Sequence, residues 1–244
     1  MKKILSIALC AAAVSAFGAS TEALLGQVGV TAITSSLSNT IVAVSYDDLA
    51  GGTGMVVSNF VKTTNLTVGD QLAIFNNGEY TTWTLRQNGT DGPKYWEKNE
   101  KAFKVDADGK LTVESGEASS DVTQAVGTGI WLVRQDVSKP FYIYGKPVSN
   151  PTSTTVAGAW TLIGNPNQTG SKEFGIDTVS KATDGDQIVV PVSPNGNLCY
   201  YTYKSTKGWR TTDGDGHWVD DAPPTLGAGL GCWILTKTAS TINW

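Results

Sequence analysis

Short runs of alternating apolar and polar residues, rich in Val, Ile, Thr and aromatic residues, follow one another along most of the chain. Residues 27–33 and 39–46 are two such runs. Successive side chains of a strand face opposite sides, so this alternation predicts β-strands with one apolar face. We expect these two strands to pair as a hairpin.

Turn residues separate the later strand patterns. Asn77-Gly78 lies between apolar runs at 72–75 and 80–85, and Asn and Gly accept the positive φ that a tight hairpin turn requires. A further hairpin is predicted over 104–113, and strands over 130–133 and 141–144. The one helical pattern is short and covers 55–62. The chain is therefore predicted to be all-β, with at most short helices.

Several of these patterns occur twice in the same order. Gly-Asp-Gln-Leu at 69–72 recurs as Gly-Asp-Gln-Ile at 185–188, and Asn77-Gly78 recurs as Asn195-Gly196. Gly-x-Gly-x-Trp at 127–131 recurs at 229–233, and in the second copy we expect its bend to let the Trp233 ring pack in a core. We interpret the chain as two tandem, diverged β-sandwich or barrel-like modules, 20–146 and 155–244, joined by a Pro/Ser/Thr linker at 147–154.

The N-terminal residues are typical of an export signal. Two lysines at positions 2 and 3 precede an uncharged apolar run over 4–16. That run is shorter than the ~20 residues that a membrane-spanning helix needs. We predict a signal peptide at 1–19, no transmembrane span, and export across the inner membrane to the periplasm, the cell surface or the medium.

Charge and composition argue against two classes of function. A net charge of -4 is opposite to what binding to nucleic acid requires. With one histidine, the chain lacks the usual motifs for a catalytic triad, a zinc protease or a phosphate-binding loop. We predict that it is not an enzyme and needs no cofactor. A hydrolase using two carboxylates is the enzymatic alternative, but no acidic pair stands out.

The remaining reactive residues leave alternatives open. Beyond the predicted signal lie two cysteines, Cys199 and Cys232, which could form a disulfide or remain two buried thiols. Asp213, Asp215 and Asp220 are a weak candidate for a calcium site, and a solvated turn is the simpler interpretation.

Aromatic residues are the stronger candidates for binding. The chain has eight Trp and eight Tyr, which can complete the cores, stack on sugar rings or anchor a protein partner. The candidate ligand-binding residues are Trp83, Tyr95, Trp96, Tyr201, Trp209 and Trp218.

The N-terminal strands, the Gly-Asp-Gln-Leu and Asn-Gly hairpin and Gly-Thr-Gly-Ile-Trp resemble a family of uncharacterised exported β-rich proteins of environmental and gut Gram-negative bacteria. Residues 160–233 are similar to a module common in large bacterial cell-surface proteins. The chain departs from the pattern at Cys232, where a large apolar residue is more usual. This resemblance implies no activity and no catalytic residues. The sequence thus leaves two functions: an exported binding module, for glycans or another envelope protein, and a structural subunit of an envelope layer or extracellular assembly.

Overall fold

Every regular element of the described chain is a β-strand, and the strands pair antiparallel. The structure is a computed structural model, and it describes residues 29–33, 39–49, 52–56, 66–76, 79–99, 103–105, 111–113, 123–138, 140–167, 169–191, 198–211 and 223–244. The predicted all-β class is therefore confirmed.

Twenty strands make up the described fold. The first module contains β1 (Gly29–Ile33), β2 (Asn39–Ala43), β3 (Met55–Val56), β4 (Gln71–Asn76), β5 (Glu79–Gln87), β6 (Lys94–Asn99), β7 (Phe103–Val105), β8 (Leu111–Val113), β9 (Thr123–Gln124), β10 (Gly129–Val133) and β11 (Phe141–Gly145). The second module contains β12 (Thr152–Thr154), β13 (Trp160–Gly164), β14 (Ser171–Glu173), β15 (Gln187–Pro191), β16 (Leu198–Lys204), β17 (Gly208–Arg210), β18 (Thr225–Gly227), β19 (Gly231–Leu235) and β20 (Thr241–Asn243).

The two modules have the same strand order. One five-stranded sheet runs β2-β10-β4-β5-β6, and the other runs β13-β19-β15-β16-β17. Two-stranded ribbons accompany each sheet, β1-β11 and β3-β9 in the first module and β12-β20 and β14-β18 in the second. The β7-β8 hairpin of the first module has no described counterpart in the second. The fold is thus two tandem β-modules.

Each five-stranded sheet buries one face in the core of its own module. From its sheet, the first core takes Val42, Leu72, Ile74, Trp83, Leu85, Trp96, Ile130 and Leu132, and the β1-β11 ribbon adds Ile33 and Ile143. The second core takes Ile163, Ile188, Tyr203, Trp209, Cys232 and Ile234 from its sheet, and β18 and β20 add Leu226 and Ile242. Alternation along each strand leaves the opposite face of the sheet for other contacts.

The repeated Gly-Asp-Gln motif forms the same buried hydrogen-bond arrangement in both modules. Asp70 is fully buried and accepts hydrogen bonds from the backbone N–H of Thr67 at 2.9 Å and of Gln135 at 2.7 Å. Asp186 accepts from the N–H groups of Thr183 and Lys237, both at 2.9 Å. Each carboxylate therefore ties the start of a central strand to the chain that follows β10 or β19, which explains the repeat structurally.

The free faces of the two sheets pack against each other. Ile41, Leu162, Val189 and Trp233 form a buried apolar cluster between them. At this junction, backbone hydrogen bonds connect the glycine-rich turn of each module to a strand of the other. The N–H of Ala43 donates to the Gly229 carbonyl at 2.8 Å, and that of Gly164 donates to the Gly127 carbonyl at 2.9 Å. Trp233 is thus buried as expected, but between the modules and not in the core of one.

The predicted pairing of the first two strands is wrong. Gly29–Ile33 pairs with Phe141–Gly145, and Asn39–Ala43 pairs with Gly129–Val133. Alternation identifies a strand with one apolar face but carries no information about its partner. These two strands lie in different sheets, and both contribute to the first core, β1 through Ile33 and β2 through Val42.

The other local predictions have mixed outcomes. The hairpins over 72–85 and 104–113 are confirmed by the registers that join Asn76 to Glu79 and Val105 to Leu111. Met55 and Val56, the start of the predicted helix, form β3, and residues 57–62 lie outside the described residues. The predicted linker at 147–154 contains β12, which pairs with β20.

Candidate functional site

Most of the predicted ligand-binding aromatics lie in the cores. Trp83, Trp96 and Trp209 are at most 2% exposed, so they cannot present a ring to a ligand, and that prediction is wrong for them. Tyr201 is half-buried and packs against the second core. Tyr95 is exposed on β6, and Trp218 lies outside the described residues. Alternation separates the two faces of β5 and β16 correctly, but it cannot say which face is covered.

Another set of aromatic side chains lines an open groove at the junction of the modules. This aromatic groove has a volume of about 380 Å³. The first module contributes Phe75 and Tyr80 from the β4-β5 hairpin. The second contributes side chains from β13, β15, β16 and β19, namely Trp160, Val189, Leu198, Tyr200 and Trp233.

Trp233 is the centre of the aromatic groove. Its ring centroid lies 4.9 Å from that of Phe75, 5.8 Å from that of Tyr80 and 6.5 Å from that of Trp160. The interplanar angles are 85°, 79° and 86°, so these rings meet Trp233 edge to face, a favourable arrangement for aromatic pairs. The groove is held in shape by contacts between rings from both modules.

Two tyrosines of this groove are open to solvent. Tyr80 is 53% exposed and Tyr200 is 57% exposed. Tyr80 lies on the same strand as the buried Trp83, and Tyr200 on the same strand as the half-buried Tyr201, but each tyrosine faces the opposite side of the sheet. This alternation is the signal that could have identified the two tyrosines from the sequence. The Tyr80 hydroxyl is protonated at neutral pH and can donate a hydrogen bond, and partial burial raises its pKa further.

A second cavity, the threonine cleft, adjoins the aromatic groove. It has a volume of about 360 Å³, and Phe75 and Trp160 belong to the walls of both cavities. Its polar lining comes from β9, β12, β13 and the turn before β10, namely Thr123, Gln124, Thr128, Thr152, Ser153, Thr154 and Thr161. Ser153 donates to the Gly127 carbonyl and accepts from the Trp244 indole N–H, both at 2.6 Å, which anchors β12.

Of the two alternatives for Cys199 and Cys232, a disulfide or two thiols, the structure shows two free thiols. β15 lies between their strands, and Cys199 pairs with Val190 of β15. Strands two places apart are separated by about 10 Å, whereas disulfide-bonded cysteines have Cα atoms within about 7 Å. Complete burial raises the pKa of the Cys232 thiol, which keeps it protonated.

The metal prediction falls outside the described chain. Asp213, Asp215 and Asp220 are not among the described residues. Within the described ranges, no group of three or more His, Cys, Asp or Glu side chains is placed to hold a metal ion.

No helix within the described ranges is long and apolar enough to cross a membrane. The chain has no match among protein-family profiles, curated proteins or solved structures. The resemblance to exported β-rich bacterial proteins therefore stays a prediction, and the candidate site is defined by its geometry alone.

Proposed function

We propose that this protein is a non-catalytic, exported binding protein whose ligand is a glycan bound in the aromatic groove. The observation that carries the proposal is the groove itself, in which rings from two modules surround Trp233 and leave Tyr80 and Tyr200 exposed.

The chemistry of the groove suits a sugar. The C–H faces of a sugar ring are apolar and pack on aromatic faces, while its hydroxyls need hydrogen-bonding partners at the rim. Trp and Tyr combine an apolar ring with one polar group, so they satisfy both needs. Rings that already pack on one another lose little conformational freedom on binding, and this lowers the entropic cost of association.

Export and duplication complete the proposal. A Lys-Lys start followed by an apolar run supports delivery beyond the inner membrane, where extracellular glycans are accessible. The equal strand order of the two sheets and the matched roles of Asp70 and Asp186 support descent from one duplicated module. In this proposal duplication supplied the site, because neither module contains all the rings of the groove.

A structural subunit is the second candidate. Aromatic side chains are also enriched in protein interfaces, and exposed Tyr80, Leu198 and Tyr200 could be covered by another envelope protein or a second copy. The mass in solution separates the two functions. Light scattering over a concentration series should give a constant monomer mass for a binding protein and a rising mass for an assembly subunit.

Binding measurements with matched tyrosine variants test the glycan proposal. The mature chain, residues 20–244, would be titrated with polysaccharides and oligosaccharides by calorimetry and by tryptophan fluorescence. We expect Tyr200→Ala and Tyr80→Ala to weaken binding by at least about tenfold, or ~1.4 kcal/mol. Tyr95→Ala, at an exposed tyrosine outside the groove, should leave the affinity unchanged. The proposal fails if a broad glycan array shows no binding, or if all three variants behave alike.

A further inference from the structure

We infer that the aromatic groove and the threonine cleft form one binding site, which takes a neutral, linear oligosaccharide longer than the groove alone can hold. One end of this chain lies on the rings around Trp233, and the next sugar units lie beyond Trp160 in the cleft. This inference rests on the proposed function and specifies its ligand.

The two cavities are adjacent because they share walls. Phe75 and Trp160 line both of them, so a ligand leaving the groove past these rings enters the cleft. Each cavity alone, at about 380 Å³ and about 360 Å³, is at the small end of ligand sites, which span about 300–1,000 Å³. A ligand that occupies both cavities is therefore larger than one that either cavity can hold alone.

The cleft offers the polar half of what a sugar chain needs. Thr152 and Thr154 are exposed on β12 and flank Ser153, whose hydroxyl is already used in bonds to Gly127 and Trp244. A threonine hydroxyl can donate one hydrogen bond and accept two, which matches the hydroxyls of a sugar. The groove thus provides stacking, and the cleft provides hydrogen bonds.

The lining of the two cavities also favours a neutral ligand over a charged one. None of the described residues that line the two cavities is charged. Carboxylates, phosphates and sulfates are typically recognised through Arg or Lys, which pair with them in charge-assisted hydrogen bonds. A neutral sugar chain needs no such partner, whereas an acidic one would lose hydration without a compensating ion pair.

A length series tests the inference on the mature chain. The probes are cello-, xylo-, malto- and chito-oligosaccharides from the monosaccharide to the hexasaccharide, with oligogalacturonides as acidic counterparts. We expect the affinity for one neutral series to rise at least about tenfold between the disaccharide and the hexasaccharide. The acidic series should bind at least about tenfold more weakly than the neutral hexasaccharide.

Two variants locate that gain in affinity. Replacing Thr152 and Thr154 together by Val keeps their shape and removes two hydroxyls, so it should lower the affinity for the hexasaccharide and leave the disaccharide unchanged. Thr225→Val, at an exposed threonine of β18 outside both cavities, is the control and should change neither affinity.

The outcomes distinguish failure of the proposed function from failure of the single extended site. If no glycan of either series binds, the proposed function and this inference both fail. If only the acidic series binds, the proposed function stands and this inference is overturned. If binding is sensitive to Tyr200→Ala but does not depend on length, only the single extended site is overturned. Equal binding of the acidic series, or an equal loss of disaccharide affinity in the double variant, would also overturn it.

Discussion

Trp131 and Trp233 occupy equivalent positions on β10 and β19, and their ring centroids lie 6.4 Å apart at the junction of the two modules. In the strand registers Trp131 is opposite Ile41, and Trp233 is opposite Leu162. The same position of each module therefore builds the junction. Only Trp233 is nearly buried, at 9% exposure, and only Trp233 lines the aromatic groove. The two modules share an architecture but contribute unequally to the site.

Removing the central ring should cost both stability and binding. Trp233→Ala deletes a nearly buried ring between two sheets, and such changes cost about 3–5 kcal/mol. Trp131→Ala, at the equivalent but more exposed position, should cost clearly less. Urea unfolding followed by far-ultraviolet circular dichroism measures the free energy of unfolding of the two variants. Equal losses of stability would contradict the central role of Trp233.

Gly164 should not tolerate a side chain, because Ala43, its counterpart in the first module, already places a methyl group at the junction. A Cβ atom on Gly164 would lie 2.4 Å from the Cβ of Ala43, which occupies the equivalent position on β2. Gly164→Ala should therefore cost about 1–3 kcal/mol through overpacking. Gly175→Ala is the control, because the nearest atom to its added Cβ is the Thr178 hydroxyl at 3.8 Å.

Removing the Ala43 methyl group should relieve only part of the strain in Gly164→Ala. The added Cβ would lie 2.4 Å from the Ala43 Cβ but also 2.5 Å from the Ala43 Cα, and this backbone contact remains when residue 43 is glycine. In thermal unfolding, Ala43→Gly combined with Gly164→Ala should therefore stay clearly less stable than the native chain. A double variant as stable as the native chain would show that the contact between the two methyl groups, and not the approach of the two backbones, causes the loss.

The two buried aspartates should respond alike to the same change. Asp186→Asn replaces one carboxylate oxygen by an NH₂ group that faces a backbone donor, at a cost of about 1.5–3 kcal/mol for a lost charge-assisted bond. Asp70→Asn should give a similar cost, because its carboxylate also accepts from two backbone N–H groups. Asp91→Asn, on an exposed turn, should stay within about 0.5 kcal/mol. Chemical denaturation of the three variants measures these differences.

The two free thiols should differ in reactivity. Cys232 is fully buried and its raised pKa keeps it protonated, so it should resist alkylation until the protein unfolds. Cys199 is only half-buried and should react first. Alkylation of a protein comprising residues 20–244, with and without urea and read by peptide mass spectrometry, tests this. A native protein lighter by two hydrogens, with neither cysteine alkylated, would instead reveal a bond between them.

Much of the fold was visible in the sequence because its signals are local. Turn residues such as Asn77-Gly78 set the β4-β5 hairpin, since the register follows from the turn. The repeated Asp70 and Asp186 marked equivalent positions of two modules. Strand partners were not visible in the same way, because β1 and β11 are separated by most of the first module and alternation does not encode such a pairing.

The sequence by itself determined the all-β class, the two modules and which side chains share a strand face. Tertiary structure decided which face each module covers, because that depends on packing between segments distant along the chain. Trp83 and Trp209 therefore entered the cores. Tyr80, on the opposite face of the same strand as Trp83, and Tyr200, on the opposite face of the strand beside that of Trp209, remained at the surface. It also decided that rings from two modules meet around Trp233, since an interface between sheets exists only once both sheets have formed.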